Sequence, residues 1–153
     1  MAHPKPAPLD DLERRIINLL QEDGRMSFVR MAELLGVTDA TIRRKYSGLV
    51  EAGVIKIKAL CDPYKVGFDA PVIIGINIEQ KKAENVLDSI SQIPEIQFAA
   101  MATGPYEILV QAVLRSNSEL RDFLLRLSQR EGVIGTHTFL LLDIVKQGWK
   151  LDA

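Results

Sequence analysis

The chain has 153 residues, a length that allows one medium domain or two small ones. Apolar residues make up 47% of it and charged residues 25%, the usual balance of a globular protein. A formal net charge of −1 argues against a uniformly basic nucleic-acid binder. No apolar run approaches the roughly 20 residues of a transmembrane helix, and residues 1–8 lack the apolar core of a signal peptide.

Cysteine and histidine usage narrows the chemistry. Cys61 is the only cysteine, so no internal disulfide can form, and this count fits a reducing, cytoplasmic compartment. With one cysteine and two histidines we expect no zinc site, and we expect no other metal or cofactor. The motifs HExxH and GxSxG and the P-loop are absent from the sequence, so we expect no catalytic residues. His137 is interpreted as structural, and Cys61 is interpreted as a small apolar filler, with a redox sensor as the alternative.

The charges are unevenly distributed along the chain. Residues 1–60 carry 10 Lys/Arg against 8 Asp/Glu, whereas residues 61–153 carry 9 against 12. Between positions 43 and 58 a cluster of five positive residues faces one acidic residue, Glu51. The five are Arg43, Arg44, Lys45, Lys56 and Lys58. Local clustering, rather than total charge, is what a small nucleic-acid footprint requires.

Residues 1–60 are predicted to form three helices and a strand. Each helix has a side chain that can cap its N-terminus and a glycine that can end it. These pairs are Asp10 and Gly24, Ser27 and Gly36, and Thr38 and Gly53. Asp10 also has the capping-box spacing to Glu13. Residues 54–60 (VIKIKAL) alternate apolar and polar side chains, which predicts an edge strand, the wing of a winged helix-turn-helix.

The second and third helices have the pattern of a helix-turn-helix, because they are short, joined by Gly36-Val37-Thr38, and the later one is basic. Ile42, Tyr46, Leu49 and Val50 are predicted to be buried, which fixes the outward face of the third helix. We predict DNA contacts from Thr38, Ala40, Thr41, Arg43, Arg44, Lys45 and Ser47. Arg44 is the candidate for a base edge, because its fork fits guanine, and the other basic residues are candidates for phosphate.

A solvated basic helix face is the alternative for Arg43, Arg44 and Lys45. Lys56 and Lys58 are equally compatible with protection of an edge strand against unwanted pairing.

Residues 61–69 form a connector rich in turn residues, and the periodicity changes after them. Strands are predicted near residues 72–78, 97–103, 107–115 and 136–145. Helices are predicted from Ala83 and from Ser116, where Glu119 completes a capping box. The order β-α-β-β-α-β is that of a ferredoxin-like unit, so the fold class is α+β.

The last two predicted strands are apolar on both faces. Ile108 and Val110 oppose Leu109 and Val113 on one of them, and Phe139 opposes Leu140 on the other. In a ferredoxin-like unit the helices cover a single face of the sheet. We therefore predict that a second copy covers the other face in a two-fold dimer, with a mis-assigned strand face as the alternative.

The chain resembles the Lrp/AsnC (feast/famine) transcriptional regulators over residues 9–150. The residues that carry the resemblance are Leu9-Asp10 through Asp23-Gly24-Arg25, Leu34-Leu35-Gly36-Val37-Thr38 with Thr41-Ile42-Arg43-Arg44, Gly53-Val54-Ile55, Asp62-Pro63 and Gly67, Thr103-Gly104 with Tyr106-Glu107, and Gly132-Val133 with Thr136, Thr138 and Lys146. The predicted domains are a flexible arm (1–8), a winged helix-turn-helix domain (9–60), a hinge (61–69), and a ferredoxin-like domain for effector binding and oligomerisation (70–153).

The resemblance implies a sequence-specific DNA-binding regulator that forms homodimers, assembled further into tetramers or octamers. It also implies a small effector, commonly an amino acid, held between dimers. The implied effector-binding residues are Met101, Thr103, Gly104, Tyr106, Glu107, Thr136 and Thr138. From the chemistry of the residues, Glu107 could accept an α-amino group and Gly104 could bring backbone N–H groups close to a carboxylate. A plain hairpin turn at Gly104-Pro105-Tyr106 is the alternative.

Two other functional classes remain open on the sequence. Siroheme decarboxylases share this two-domain plan, but residues 99–110 here contain neither the His nor the Arg that accompany a Tyr in those enzymes. An effector-binding module that has lost DNA binding is the other alternative, and the intact basic helix argues against it.

Overall fold

Two separate hydrophobic cores form in the chain. The computed structural model describes residues 7–146 and divides them into one unit of residues 7–59 and a second unit of residues 60–146. Most of the predicted N-terminal arm, together with residues 147–153, lies outside the described residues. The boundary between the units lies beside residue 60, where the predicted helix-turn-helix domain ends.

The first unit consists of three helices, α1 (Asp11–Glu22), α2 (Phe28–Leu35) and α3 (Asp39–Glu51). All three contribute apolar side chains to one core. The buried members are Ile16, Ile17, Leu20, Met31, Ala32, Ile42 and Leu49. α3 is thereby held by the face that carries Ile42 and Leu49, and its opposite face is left to solvent.

The predicted N-terminal caps of these helices are confirmed. The side chains of Asp10, Ser27 and Thr38 each accept a backbone N–H from the first turn that follows. At α1 the capping box is reciprocal, because the Glu13 N–H donates to Asp10 Oδ1 over 2.8 Å and the Asp10 N–H donates to Glu13 Oε2 over 3.0 Å. Gly36 ends α2 in the left-handed region at φ 69°, which turns the chain toward α3.

The strand predicted over residues 54–60 is not formed, so the helix-turn-helix has no wing strand among the described residues. The N–H groups of Val54 and Ile55 both donate to the Leu49 carbonyl, over 2.9 and 3.3 Å, which folds the start of this segment back on α3. The alternation of apolar and polar side chains does not by itself produce a strand, because a strand needs a hydrogen-bonded neighbour. Residues 7–59 contain no other strand. Val50, predicted to be buried, is 41% exposed.

The second unit has the predicted ferredoxin-like order of elements. They are β1 (Ala70–Ile78), α4 (Ala83–Ser91), β2 (Ile96–Met101), β3 (Ile108–Leu114), α5 (Asn117–Ser128) and β4 (Val133–Leu140). The sheet has the antiparallel order β2-β3-β1-β4, which places β1 and β3 in its centre. Both helices pack on one face, where Val86 and Ile90 of α4 and Phe123 and Leu127 of α5 meet the buried side chains of β1 and β3.

The last strand differs from its prediction at both ends. It begins at Val133 rather than Thr136, because Gly132 at φ 89° turns the chain directly into pairing with Ile78. It ends at Leu140, and the Leu141 N–H still donates to the Pro71 carbonyl over 2.9 Å. The register pairs Leu140 with Val72, so β4 ends close to the start of β1 at Ala70, and Leu142 is 89% exposed.

The opposite face of the sheet, termed the open face, carries no helix of the second unit. The strand register assigns to it Pro71, Ile73, Gly75, Asn77, Phe98, Ala100, Leu109, Gln111, Val113, Gly135, His137 and Phe139. One row runs straight across the four strands as Phe98, Gln111, Ile73 and Phe139. Its three large apolar side chains are 45%, 38% and 52% exposed, which confirms that apolar residues lie on both faces of the sheet.

The predicted hinge is attached to the second unit. A short 3₁₀ turn at Tyr64–Val66 places the Tyr64 hydroxyl so that it donates to the Leu141 carbonyl over 2.9 Å. The Arg115 guanidinium lies 5.4 Å from the centre of the Phe68 ring. These contacts hold residues 64–68 against the sheet domain.

The two leucines on α5 provide a matched test of the second core. Leu127 is 1% exposed and Leu125 is 55% exposed, on the same helix and with the same chemistry. We expect Leu127→Ala to lower the free energy of unfolding of the second unit by about 2–5 kcal/mol through a cavity. Leu125→Ala should cost less than about 0.5 kcal/mol. Urea unfolding followed by circular dichroism checks this, and equal losses in the two variants would contradict the assigned core.

Candidate functional site

α3 presents a small, basic surface to solvent. Ala40, Arg43, Arg44, Ser47 and Gly48 are exposed along one side, opposite the buried face. Three of these five are small, so the helix backbone can approach a partner closely on this side. Four of these five residues, Ala40, Arg43, Arg44 and Ser47, are among the predicted DNA contacts, and their contact with DNA stays a prediction.

The two adjacent arginines of α3 have different surroundings. Arg43 is held near the helix, because its guanidinium lies 3.5 Å from Asp39 Oδ2 and 5.0 Å from the centre of the Phe28 ring. Arg44 makes no ion pair or hydrogen bond with residues 7–146, and its side chain is exposed. Of the pair, Arg44 is the one whose five donors are all available to an external partner.

The two threonines at the start of α3 are engaged with each other. The Thr41 N–H donates to Thr38 Oγ1 over 3.3 Å, and the two hydroxyl oxygens lie 2.9 Å apart. Each hydroxyl retains further hydrogen-bonding capacity. Their main visible role is to cap α3 and fix its first turn, which also positions Ala40.

Lys45 makes ion pairs that sequence reasoning missed. Its ammonium group lies 3.0 Å from Glu13 Oε1 and also bonds the Asp10 carboxylate, so it joins α3 to the capping box of α1. Hydrogen bonding to Lys45 and to the Glu13 backbone holds the pKa of Asp10 below its usual value. The Asp10 backbone N–H and Lys45 likewise lower the pKa of Glu13, and the two carboxylates raise that of Lys45.

The charge of Lys45 is therefore compensated within the unit, and its side chain is only 23% exposed. The sequence identifies Asp10 and Glu13 as a helix cap, but no local pattern relates them to Lys45, which is 35 and 32 positions away, respectively. A phosphate contact by Lys45 stays a prediction, and its observed contacts are those of a residue that orients α3 on α1.

The α1–α3 ion pairs give a pH dependence of stability with a definite sign. The pKa values of Asp10 and Glu13 are lower in the folded state, so their contribution is present near neutral pH and is lost as pH falls through these depressed values. The raised pKa of Lys45 means that the contribution also fades in strong alkali. We expect Lys45→Met to be destabilised relative to wild type near pH 7 and to converge with it well below pH 4.

Thermal melting across pH measures this difference, with Lys58→Met as the matched control because Lys58 is exposed and forms no ion pair among residues 7–146. A Lys45→Met deficit that is the same at pH 7 and in acid would show that packing, not charge, explains the loss.

The turn between β2 and β3 contains most of the implied effector-binding residues. Met101 ends β2, and it is exposed together with Thr103 and Gly104. Gly104 has φ 128°, a conformation that other residues rarely adopt. The 103–107 turn is fastened at its end, because the Ala102 N–H donates to the Glu107 carbonyl over 2.9 Å.

The Glu107 side chain is tied to the end of β1. Its Oε2 accepts the Ile78 N–H and the Asn77 side-chain amide, each over 3.2 Å. These two donors lower the pKa of Glu107, the Ile78 N–H more strongly, so the group is a carboxylate at neutral pH. Asn77 was missed by sequence reasoning, because its neighbourhood depends on strand register rather than on any local motif.

Tyr106 lies on the open face rather than at the tip of the turn. Its ring covers Gly75 so closely that a Cβ atom at that position would lie 2.4 Å from ring carbons. The centre of the His137 ring is 5.1 Å from that of Tyr106, with the planes tilted by 41°. His137, interpreted from the sequence as structural, is thus part of an aromatic pair on the face that no helix covers.

The remaining implied effector residues lie elsewhere on the sheet. Thr136 pairs with Ile76 and Thr138 with Ile74, so both project to the helix side of β4. β1 separates β4 from β3, which puts these threonines about 10 Å from the strand that follows the turn. A single chain therefore brings Glu107 to Asn77 and Tyr106 to Gly75, and leaves the threonines apart.

Residues 7–146 lack two further kinds of feature. No helix there is long and apolar enough to cross a bilayer. No group of three or more His, Cys, Asp or Glu side chains there has an arrangement that could hold a metal ion.

Comparisons with known families agree with both units. A family model described as the AsnC-type helix-turn-helix domain matches residues 9–49. A second model, described as the Lrp/AsnC ligand binding domain, matches residues 71–151. Together these matches cover the three helices of the first unit except for the last two residues of α3, and the sheet of the second unit except for the first residue of β1.

Individual relatives span nearly the whole chain. An uncharacterized HTH-type transcriptional regulator of Pyrococcus furiosus is 35% identical over 143 residues, which cover 92% of this chain and 97% of the relative. The structure of Escherichia coli AsnC superposes with a TM-score of 0.81 at 24% identity, over 94% of this chain and 99% of AsnC. A transcriptional regulator from Neisseria meningitidis, solved as an L-Met complex, gives 0.82 at 25% identity over 94% and 96%.

Proposed function

Because this chain belongs to the Lrp/AsnC family of DNA-binding transcriptional regulators, we propose that it reads promoter DNA through the exposed face of α3. The observation that carries the proposal is Arg44, an exposed guanidinium without an internal partner among residues 7–146, flanked by small side chains. A guanidinium of this kind can donate two hydrogen bonds to the O6 and N7 atoms of a guanine in the major groove.

The other predicted DNA contacts have supporting roles in this proposal. Arg43, which lies against Phe28, and Ser47 are exposed near Arg44 on α3 and can reach phosphates, which position a protein without specifying sequence. The small side chain of Ala40 lets the α3 backbone come close to the DNA. Thr38 and Thr41 lie at the N-terminus of α3, the end that would enter the groove. Lys45 acts through its ion pairs to α1, which set the angle at which α3 is presented.

Arg44 is tested by two variants with different charge. Arg44→Ala should cost about 1–3 kcal/mol of specific affinity, whereas Arg44→Lys should keep the salt dependence of binding and lose selectivity between fragments. Binding of genomic DNA fragments at several salt concentrations measures both quantities. Arg121→Ala, an exposed arginine on α5, is the control. Unchanged selectivity in both Arg44 variants would contradict the base-reading role.

We further propose that the chain acts as a homodimer whose two sheets meet through their open faces. The support is the row of Phe98, Ile73 and Phe139 beside the Tyr106–His137 pair, since monomers rarely leave a contiguous apolar sheet face in water. A two-fold axis through this face would supply two copies of α3 to two half-sites. Further assembly to a tetramer or octamer belongs to the same proposal.

A charge on the open face should prevent dimerisation. Phe139→Glu places a carboxylate in the middle of the proposed interface, and we expect a monomer in analytical ultracentrifugation at micromolar concentration. Leu142→Glu is the matched control, because Leu142 is 89% exposed and lies beyond the end of β4. A Phe139→Glu variant that sediments like the wild-type dimer would place the interface elsewhere, and a monomeric wild type would refute the dimer.

The effector in this proposal is an amino acid bound at the 103–107 turn. The Neisseria relative was solved with L-Met, and the turn here offers a carboxylate for an α-ammonium group and the backbone of Gly104 for a carboxylate. Because one chain leaves Thr136 and Thr138 away from the turn, these residues would complete the pocket from another copy in the assembly.

The proposed function includes no enzymatic activity. We propose that the protein acts in the cytoplasm, where both DNA and free amino acids are present. The relatives support it by their descriptions as transcriptional regulators.

A further inference from the structure

Asn77 stands at the end of β1 beside the 103–107 turn. Its side-chain Nδ2 donates to the Pro105 carbonyl over 2.7 Å and to Glu107 Oε2 over 3.2 Å. Both hydrogens of the amide are therefore used, one on the backbone and one on a side chain of the same turn. Pro105 and Glu107 precede β3, which begins at Ile108, so these side-chain contacts are additional to the backbone hydrogen bonds of the sheet.

Glu107 completes the connection. Its Oε2 also accepts the Ile78 N–H over 3.2 Å, in the place where a continuing strand would offer a carbonyl. Oε2 is thus occupied by β1, whereas among residues 7–146 no residue other than Glu107 itself donates a hydrogen bond to Oε1. The orientation of the carboxylate is fixed by Asn77 and Ile78, and one oxygen is left to face a ligand.

The adjacent residue is held at a second point of the same strand. The Tyr106 ring rests on Gly75, and both Gly75 and Asn77 project from the open face. Two successive turn residues are therefore fastened to two β1 residues, one by ring contact and one by hydrogen bonds. The turn cannot rotate without loss of one of these contacts.

We propose that Asn77 is the positioning residue of the effector site, which sets the direction of the free Glu107 oxygen and hence the placement of an α-ammonium group. The inference rests on the proposed function, in which this turn binds an amino acid. Asn77 itself touches no ligand in this account. Asn77→Asp keeps the size of the side chain, removes both donors and adds a negative charge against Glu107, so it should release the turn.

The experiment measures binding and backbone exchange in the same full-length proteins. A panel of L-amino acids is tested by thermal shift, and the dissociation constant of the best ligand is measured for wild type, Asn77→Asp, Asn77→Ala and Gln97→Ala. Gln97 is the matched control, because its amide also donates to a backbone carbonyl, that of Pro94 over 3.2 Å, at the other end of β2. Hydrogen exchange of the Ile78 and Glu107 amides reports on the turn without any ligand.

We expect both Asn77 variants to weaken binding by about tenfold or more, as loss of hydrogen bonds to a charged group does. Exchange at Ile78 should accelerate in the same variants, and Gln97→Ala should match wild type within about twofold. A ligand affinity in Asn77→Asp and Asn77→Ala within about twofold of wild type overturns the inference.

A wild-type protein that responds to no amino acid refutes the proposed effector instead. In that case, an Ile78 exchange rate in the Asn77 variants equal to that of wild type still refutes the positioning role. Faster exchange in the variants would show that Asn77 holds the 103–107 turn in place without a ligand.

Discussion

The sheet of residues 70–140 is covered by α4 and α5 on one face, while the other face carries Phe98, Ile73 and Phe139 in a single row. When one chain folds, the helices bury the first face of the sheet, whereas the open face stays in water. Each Å² of apolar surface left exposed costs about 25 cal/mol. The same strand, β1, supplies Ile73 to the open face and Asn77 to the 103–107 turn. In the proposed function, assembly and effector binding therefore depend on neighbouring residues of one strand.

The DNA-binding unit depends on a compact arrangement of charge. α3 contains three consecutive basic residues. The charge of Lys45 is compensated by Asp10 and Glu13, and the Arg43 guanidinium pairs with Asp39 and lies over the Phe28 ring. Arg44 has no ion pair or hydrogen bond with residues 7–146, and in the proposed function its guanidinium contacts a base. One such helix gives weak attraction to a phosphate backbone, and two or more copies held together raise the effective concentration of the second contact. The near-zero net charge of the chain is compatible with DNA binding for this reason.

Local features of the sequence were sufficient for much of the fold. Asp10, Ser27 and Thr38 cap their helices because a cap needs only the next three residues. Features that depend on distant partners were predicted poorly. Residues 54–60 have the alternation of a strand and no neighbour to pair with, and β4 was displaced because its ends are set by the start of β1 and the turn at Gly132.

The candidate sites follow the same rule. Exposure of Arg44 follows from helical periodicity, but the ion pairs of Lys45 and the contacts of Asn77 span about 30 residues, which no local pattern reveals. Tyr106 was identified by resemblance, and only the strand register shows that its ring lies over Gly75 on the open face.

Hydroxyl-radical footprinting of the wild-type protein on a DNA fragment that it binds tests the central claim directly, because it counts the helices that one assembly presents to DNA. The account predicts two protected patches on the same side of the duplex, separated by about one helical turn, 34–36 Å, or a multiple of it. A single protected patch at saturating protein would contradict a dimer formed through the open face.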